Sequence, residues 1–165
     1  MQIKFTKVSF EQFAKDFNEI LNEDGKKRID VKEIYDNIKL PERSTTGSAG
    51  YDFYMPYDCY LSLGNTKILT GIRAVMPQNV VLQLYPRSSL GFKYGFQLIN
   101  TVGIIDSDYA NAENEGHIMA KIHLDIPHQF YKGDKFMQGI FMPYYTTDDD
   151  NVTAERVGGI GSTGK

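Results

Sequence analysis

The sequence predicts a mainly β domain that follows a short helical N-terminal segment. Apolar and polar side chains alternate from Ile118 to Ile126, which is the pattern of a half-buried antiparallel strand. Shorter alternations occur at 80–85 and 136–142, and turn signals such as Gly91 and Gly133-Asp134 separate the segments. The 165 residues include 11 Tyr and 10 Phe but no Trp, a composition that favours strands. Many short strands at this spacing predict a sandwich or a small barrel.

The first 38 residues have helical periodicity instead. Ser9-Phe10-Glu11-Gln12 matches a capping box, and apolar residues follow at helical spacing as far as Leu21. A second, shorter helix opens at Asp30 and carries Ile34. We expect both helices to pack an apolar stripe against the main body, and a partner-binding face is the less favoured alternative.

These patterns divide the chain into three parts. Residues 1–38 form a helical N-terminal extension, 39–147 a β domain, and 148–165 a flexible Gly-rich C-terminal arm. The end of the arm matches the first seven positions of a phosphate-binding P-loop, but the final Ser or Thr is absent. We therefore reject a P-loop and expect the arm to close over an anionic ligand.

Composition excludes several classes of protein. The net charge of −3 argues against a general nucleic-acid binder, and no apolar run approaches membrane-spanning length. The single cysteine, Cys59, has no partner for an internal disulfide, which favours a reducing compartment. We expect a cytoplasmic protein that binds neither nucleic acid nor membrane.

The segment from Asn100 to Tyr109 is the most informative for chemistry. Its apolar run ends at Asp106, and its Val, Ile and Gly residues predict a β-hairpin. A carboxylate at the end of buried strand residues is partly desolvated, so Asp106 is a candidate general base. Taken alone, such an Asp is more often a turn residue that caps its own backbone.

Two further segments carry polar groups suited to an anionic substrate. Arg87, Ser88 and Ser89 follow an apolar strand, and a phosphate seat and a solvated turn are equally favoured from this segment alone. Gln138 lies among apolar neighbours, where the backbone or a bound water would satisfy it. The three histidines have no metal-ligand spacing with the cysteine, so we do not expect a zinc site.

Five segments, in this order, resemble the motifs of the trimeric deoxyuridine triphosphatase (dUTPase) family. They are Ala49-Gly50-Tyr51-Asp52, Pro86-Arg87-Ser88-Ser89-Leu90-Gly91, Gly103-Ile104-Ile105-Asp106-Ser107-Asp108-Tyr109, Lys132-Gly133-Asp134-Lys135 through Gln138, and Gly158-Gly159-Ile160-Gly161-Ser162-Thr163-Gly164. Each is weak alone, but their order makes the resemblance specific from about Leu40 onward.

The resemblance implies a jelly-roll or β-clip domain assembled as a homotrimer with active sites at subunit interfaces. It implies Mg²⁺-dependent hydrolysis of dUTP to dUMP and pyrophosphate, which limits uracil incorporation into DNA and supplies dUMP. In such enzymes the triphosphate and waters hold most of the metal. That arrangement agrees with the general need of phosphoryl displacement for positioning and charge neutralisation.

Roles carry over to matching positions as expectations. Asp106 would deprotonate the attacking water, Gln138 would help to place it, and Asp52 would support the waters of the metal. Asn100 and the neighbouring backbone would read the uracil edge, and Tyr109 would pack beneath the sugar. The substrate-binding residues implied in this way are Arg87, Ser88, Ser89, Asn100, Gly103, Ile104, Ile105, Tyr109, Met119, Arg156, Gly159, Ile160, Gly161, Ser162 and Thr163.

The chain departs from the family pattern at two places within these motifs. Arg156 lies four residues before Ile160, whereas the family arginine lies five before an aromatic residue that stacks on uracil. We therefore expect weaker ordering of the substrate by the arm. The acidic segment Ala110–Glu115 is longer than usual, and we expect a loop there at the rim of the trimer.

Two alternative functions belong to other classes. A dCTP deaminase shares the fold and a similar Arg-Ser segment, but Glu113 and Glu115 lie in the irregular acidic segment and Asp106 favours hydrolysis. A dUTPase-like regulatory protein would bind a protein partner through the N-terminal helices or the 110–115 segment. Assays of ammonia and pyrophosphate release distinguish these alternatives.

Overall fold

The computed structural model describes residues 2–24, 30–156 and 158, and it is mainly β, as the sequence predicts. The described residues form twelve strands, three α-helices and one 3-10 helix. The strands are β1 (Lys4–Lys7), β2 (Glu42–Arg43), β3 (Tyr51–Tyr54), β4 (Cys59–Leu61), β5 (Gly64–Leu69), β6 (Ile72–Val75), β7 (Val80–Pro86), β8 (Gln97–Leu98), β9 (Gly103–Ile105), β10 (Met119–Leu124), β11 (His128–Phe130) and β12 (Lys135–Pro143). The helices are α1 (Phe10–Asp24), α2 (Val31–Asp36), α3 (Ser88–Tyr94) and the 3-10 helix Ser107–Asn111.

The strands pair into four antiparallel sheets. The largest has the order β2-β3-β12-β7-β9, and a second has the order β5-β10-β8. Two-stranded sheets, β1-β6 and β4-β11, complete the set. Inward side chains of both larger sheets, such as Phe53, Leu82, Ile68 and Ile122, belong to one hydrophobic core. The alternation of apolar residues therefore produces packed layers of sheet.

The register of the largest sheet determines where the polar segments lie. In the β7–β9 pair, Leu82 faces Ile105 and Leu84 faces Gly103. Arg87 follows the last residue of β7 and precedes α3, whereas Asp106 follows the last residue of β9. Since the two strands are antiparallel, these two side chains lie toward opposite ends of β7.

The N-terminal segment packs on the sheets as predicted, but its first element was not foreseen. Strand β1 pairs with β6, and its short mixed sequence gives no clear period. Val8 and Phe13 are buried in the same core as the strands. Gly71 has φ +70°, and a Cβ there would lie 2.2 Å from Ile38 Cδ1, so the extension approaches the body closely.

Only half of the predicted capping box forms. The Ser9 hydroxyl accepts a hydrogen bond from the Gln12 backbone N–H at 3.1 Å, as an N-cap should. The Gln12 side chain donates to Asp16 instead of returning to Ser9. The free Ser9 N–H donates to Glu115 at 2.7 Å, which is a contact from a distant segment. Tertiary structure therefore replaces the local partner.

Three local predictions are wrong. The hairpin around 100–109 does not form, because β8 pairs with β10 and β9 pairs with β7, so the turn between them crosses from one sheet to another. Strand β10 ends at Leu124, two residues before the predicted end. The Asp125 and Ile126 N–H groups donate to the Tyr94 carbonyl instead, and Ile126 is 52% exposed. Gly91, expected in a turn, lies inside α3.

Within the described residues, no helix combines the length and the apolar character that crossing a membrane requires.

We predict that Phe13→Ala lowers the free energy of unfolding of the whole protein by about 3–5 kcal/mol, because the ring is 0% exposed in the shared core. Chemical denaturation followed by circular dichroism measures this. The control Lys15→Ala changes an exposed position of the same helix and should have little effect. If the unfolding transition of the β domain were unchanged in Phe13→Ala, α1 would not be part of the hydrophobic core.

Candidate active site

The first of two polar sites is a cavity of about 240 Å³ between β7, β9 and β10. We call it the carboxylate cavity, because Asp106 stands at its edge. Apolar side chains, backbone of β9 and a few polar groups line it together. The lining residues are Leu84, Leu98, Asn100, Gly103, Ile104, Ile105, Asp106, Tyr109, Met119, Ala120, Met137 and Arg156.

One wall of the carboxylate cavity is the tight turn between β8 and β9. Thr101 adopts φ +65°, and the Val102 N–H donates to the Asn100 carbonyl at 2.7 Å. The Asn100 side chain, which is exposed, donates to the Val102 carbonyl at 3.2 Å. The turn therefore presents an amide and backbone polar groups at the cavity, the kind of edge that hydrogen-bonds a planar base.

Asp106 is paired rather than desolvated in a single chain. Arg156 donates from Nη2 to Asp106 at 2.6 Å and from Nε to Asp108 at 2.8 Å. The Asp106 side chain is nevertheless 51% exposed, so the expected desolvation is wrong for one chain alone. Residues 106–108 leave the sheet at the end of β9, and among the described residues Asp106 and Asp108 are exposed. Desolvation of this carboxylate therefore does not come from the described part of the chain.

Tyr109 forms a fixed wall of the carboxylate cavity. Its ring is buried, its hydroxyl donates to the His117 carbonyl at 2.9 Å, and it accepts from Asn114 Nδ2 at 2.8 Å. Burial raises the pKa of Tyr109, although the Asn114 hydrogen bond and the charge of Arg156 oppose this. The Arg156 guanidinium carbon lies 5.7 Å from the centre of the ring. The phenol is therefore a rigid, neutral surface.

The second site is an open cleft beside β3, β7 and β12, which we call the arginine cleft. It gathers small polar residues around one buried carboxylate. The lining residues are Ser44, Ser48, Ala49, Gly50, Asp52, Arg87, Ser88, Gln138 and Ile140. None of these residues lines the carboxylate cavity, so the two sites share no lining residue.

Asp52 organises the cations of the arginine cleft. Its carboxylate lies 3.2 Å from Arg87 Nε and 2.7 Å from Lys135 Nζ, and the Ser44 hydroxyl donates to it at 2.7 Å. Burial alone would raise the pKa of Asp52, but the Lys135 and Ser44 hydrogen bonds and the charge of Arg87 hold it below its usual value. Asp52 is thus ionised and holds two cations, Arg87 at the cleft and Lys135 at the adjoining depression that Arg87 also lines.

Gln138 stands beside this cluster in the sheet. Its backbone lies opposite Asp52 on β3 and opposite Tyr85 on β7. A Cβ at Gly50 would lie 2.5 Å from Gln138 Oε1, so the side chain occupies the space that this glycine leaves open. The absence of a side chain at residue 50 therefore permits the observed position of the amide.

The structure separates Asp106 from the predicted phosphate-binding residues and from Gln138. Continuing the β7–β9 register by one residue places Asp106 level with Val81 of β7. Arg87 follows Val81 by six residues, so Asp106 and Arg87 are about 20 Å apart along the strand direction. Gln138 lies with Arg87 and Ser88, whereas Asn100, Ile104, Tyr109 and Met119 lie with Asp106. One chain therefore carries two incomplete halves.

The remaining predicted site residues line neither half in the same way. Ser89 lines a third depression together with Lys93, and Arg87 lines both this depression and the arginine cleft, so Ser89 lies beside the cleft. Arg156 lies at the carboxylate cavity rather than near Arg87. Gly159, Ile160, Gly161, Ser162 and Thr163 lie outside the described residues.

Sequence reasoning missed several residues that organise these halves. Ser44 and Lys135 complete the Asp52 cluster, and Asp108 shares Arg156 with Asp106. Lys135 belongs to a quoted motif, so an unassigned cation next to a strand was the available signal. Asp108 also belongs to a quoted motif, whereas Ser44, eight residues before Asp52, stands in none of them and gave no signal.

In the part of the chain that the structure describes, no three His, Cys, Asp or Glu side chains come together to hold a metal ion. The arginine cleft offers a single carboxylate, Asp52. Mg²⁺ is commonly held by one or two carboxylates together with substrate phosphates, so this donor set suits an ion that arrives with a phosphate ligand.

A model of the dUTPase family matches residues 36–164. The protein named deoxyuridine 5'-triphosphate nucleotidohydrolase from Lactococcus lactis subsp. lactis (strain IL1403) is 42% identical over 133 residues, which are 77% of this chain and 89% of the relative. A protein of the same name from Haemophilus ducreyi (strain 35000HP / ATCC 700724) is 36% identical over 84% of this chain and 98% of its own length.

Solved structures are similar as well. The crystal structure of dUTPase from Streptococcus mutans matches with a TM-score of 0.62 and 40% identity, over 68% of this chain and 91% of that one. The dUTPase from phage phi11 of S. aureus matches with a TM-score of 0.63 over 93% of this chain and 97% of that one. At 18% identity, the second match bears on the fold alone.

We predict that Gly50→Ala displaces the Gln138 side chain while the protein stays folded, because the new methyl group would meet Oε1 at 2.5 Å and the amide end can move. A crystal structure of the variant, or the side-chain amide resonances of Gln138, measures this. The matched control is Gly47→Ala, where a Cβ would meet nothing within 4 Å. An unmoved Gln138 in Gly50→Ala would contradict the prediction.

Proposed function

The chain belongs to the dUTPase family, and on this basis we propose that it hydrolyses dUTP to dUMP and pyrophosphate at a site shared between copies of the chain. One observation carries the shared site: the candidate base and the phosphate-binding cations lie in different halves of one chain, about 20 Å apart. A single nucleotide cannot reach both halves of the same chain.

The carboxylate cavity suits the nucleoside end of the substrate. The turn at Asn100 offers donors and acceptors to the uracil edge, and a cytosine would leave some of them unpaired. The Tyr109 ring provides a flat surface under the deoxyribose, held in place by its hydrogen bonds to residues 114 and 117. Asp106 at the rim is then close to the α-phosphorus.

The arginine cleft of another copy suits the triphosphate. Arg87 offers a planar set of donors, Ser88 offers a hydroxyl, and Lys135 adds a second positive charge. Asp52 holds both cations in place before the substrate arrives. This preorganisation stabilises the negative charge that develops on the phosphate oxygens during displacement.

The chemical step requires a base on one side and neutralised phosphates on the other. Asp106 accepts a proton from a water that Gln138 of the other copy helps to orient, and the water oxygen attacks the α-phosphorus. The bond from the α-phosphorus to the bridging oxygen breaks, and pyrophosphate leaves. Covering by the second copy also removes solvent from Asp106, which the described residues of a single chain leave half exposed.

The residues of the arginine cleft fit a magnesium ion that enters with the triphosphate. A carboxylate has roughly four acceptor positions. Arg87, Lys135 and Ser44 occupy three of those of Asp52, so one remains for a water of the ion. When bound, Mg²⁺ neutralises phosphate charge and supports the leaving pyrophosphate. Arg156 donates to one oxygen of Asp106, Oδ2, in the single chain, so the water can bind at a remaining acceptor position of that carboxylate.

We predict that Asp106→Asn lowers kcat for pyrophosphate release from dUTP by roughly 10²–10⁴-fold, because an amide cannot accept the proton of the water. Asp108→Asn is the matched control, since it changes the other carboxylate that pairs with Arg156. It should retain activity within a few fold. A steady-state pyrophosphate assay with dUTP and Mg²⁺ measures both, and full activity in Asp106→Asn would refute the proposed mechanism.

We also predict that two inactive variants restore activity when their chains are mixed. In a mixture of Arg87→Ala and Asp106→Asn chains, about one shared site in four would combine an intact Asp106 with an intact Arg87. Refolding the chains together and assaying pyrophosphate measures this. Mixing Asp106→Asn with Tyr109→Ala is the control, because both changes lie in the same cavity. If the first mixture stays inactive, the site is not shared in this way.

A further inference from the structure

A buried polar pair joins helix α1 to the segment after Tyr109, and nothing in the proposed reaction uses it. Asp16 on α1 is 5% exposed and His117 is 0% exposed. Asp16 Oδ2 and His117 Nδ1 are 2.5 Å apart, and Gln12 Nε2 donates to both oxygens of Asp16 at 2.9 Å. The pair connects residues that are 101 positions apart in the sequence.

The tautomer of His117 follows from a backbone donor. The Gly71 N–H donates to His117 Nε2 at 2.8 Å, so that nitrogen must offer its lone pair. The ring proton is therefore on Nδ1 and points at Asp16. Burial disfavours the charge on Asp16, but the hydrogen bonds from His117 and Gln12 outweigh it and hold its pKa below the usual value. An ionised carboxylate thus fixes the orientation of the imidazole.

His117 is also the residue that holds Tyr109. While its side chain is held by α1, its backbone carbonyl accepts the Tyr109 hydroxyl at 2.9 Å. The carbonyl and the ring belong to one residue, so a shift of the imidazole moves the acceptor of the tyrosine. This route from α1 to the wall of the carboxylate cavity contains two hydrogen bonds.

A second route runs through the acidic segment. Glu115 accepts from the Ser9 N–H at 2.7 Å and from the Ser9 hydroxyl at 2.5 Å. Hydrogen bonding by Ser9 lowers the pKa of Glu115. Asn114, the preceding residue, donates to the Tyr109 hydroxyl at 2.8 Å. The start of α1 therefore also holds the second partner of that hydroxyl.

The backbone of this segment is strained, which makes its external support necessary. Glu115 adopts φ +56°, a left-handed conformation that is unfavourable for a non-glycine residue. Such strain persists where surrounding contacts over-determine the conformation. Here the contacts come from Ser9 and from Asn114, whose Oδ1 accepts the Gly116 N–H at 3.2 Å.

We propose that helix α1 is a positioning element of the nucleotide site, in which Asp16 and Ser9 hold Tyr109 against the sugar and so sharpen the discrimination between dUTP and UTP. The inference rests on the proposed function. It assigns a role to an extension whose first 35 residues precede the part matched by the family model. A buried carboxylate held by hydrogen bonds is by itself weak support for stability, because apolar replacements of buried charged groups and their partners are often as stable. A role in positioning accounts for the pair better than a role in stability alone.

The test compares kcat/KM for dUTP with kcat/KM for UTP in the full chain. In Asp16→Asn the amide presents donors to Gln12 and is a weaker acceptor for His117. We expect the dUTP to UTP ratio to fall roughly tenfold or more, because small misplacements at a reacting site have effects of this order. The kcat for dUTP should change little, since Asp106 is untouched. Glu19→Gln, an exposed carboxylate on the same helix, is the matched control and should leave the ratio unchanged.

A double-mutant cycle separates positioning from a general loss of structure. Tyr109→Phe keeps the ring but removes the hydroxyl that contacts residues 114 and 117. Asp16→Asn should then have no further effect on the ratio. An equal effect with and without the hydroxyl would overturn the proposed route. If Asp16→Asn does not fold, Ser9→Ala tests the second route with the same readout and decides alone.

The two proposals fail in different ways. A wild-type chain that releases no pyrophosphate from dUTP would refute the proposed function, and the inference with it. A wild-type chain that hydrolyses dUTP selectively, with an unchanged ratio in Asp16→Asn and in Ser9→Ala, would overturn the inference alone.

Discussion

The pairing of β7 with β9 is the constraint on which the chemistry of this chain depends. Its register places Asp106 near one end of β7 and Arg87 beyond the other, about 20 Å apart. Backbone hydrogen bonds fix this distance, so no rotamer change brings the two groups together. The proposed reaction needs both a base and phosphate-binding cations, and a site shared with a second copy of the chain would bring them together. On this proposal, oligomerisation follows from sheet register.

The arginine cleft and the carboxylate cavity differ in the burial and the pairing of their charged side chains. In the arginine cleft, Asp52 is buried and balances Arg87 and Lys135, so the cations are already in position and the carboxylate stays ionised. In the carboxylate cavity, Asp106 is half exposed and is held by Arg156, a residue near the end of the described chain. The first arrangement is preorganised for an anion. In the second, a cation pairs with one oxygen of a carboxylate that stays half exposed.

The N-terminal extension is integrated at two levels. Phe13 and Val8 share the core with the strands, which explains why α1 is held in place. Asp16 and Ser9 then use that fixed position to hold the segment after Tyr109 through polar contacts. Apolar packing stabilises the contact between α1 and the sheets, and the polar contacts fix the orientation of the groups that meet there. Helix and acidic segment, which the sequence suggested as separate additions, are partners of each other.

The sequence by itself determined the mainly β class, the two N-terminal helices and the candidate site residues, because these depend on local periodicity, capping residues and motifs in a fixed order. It did not determine that β8 and β9 lie in different sheets, that Asp106 is exposed, or that Gln138 lies apart from it. It also gave no sign of Ser9–Glu115 or Asp16–His117, since their partners are about a hundred residues apart. Strand pairing and long-range hydrogen bonds depend on which surfaces meet in three dimensions, and only the tertiary structure decides that.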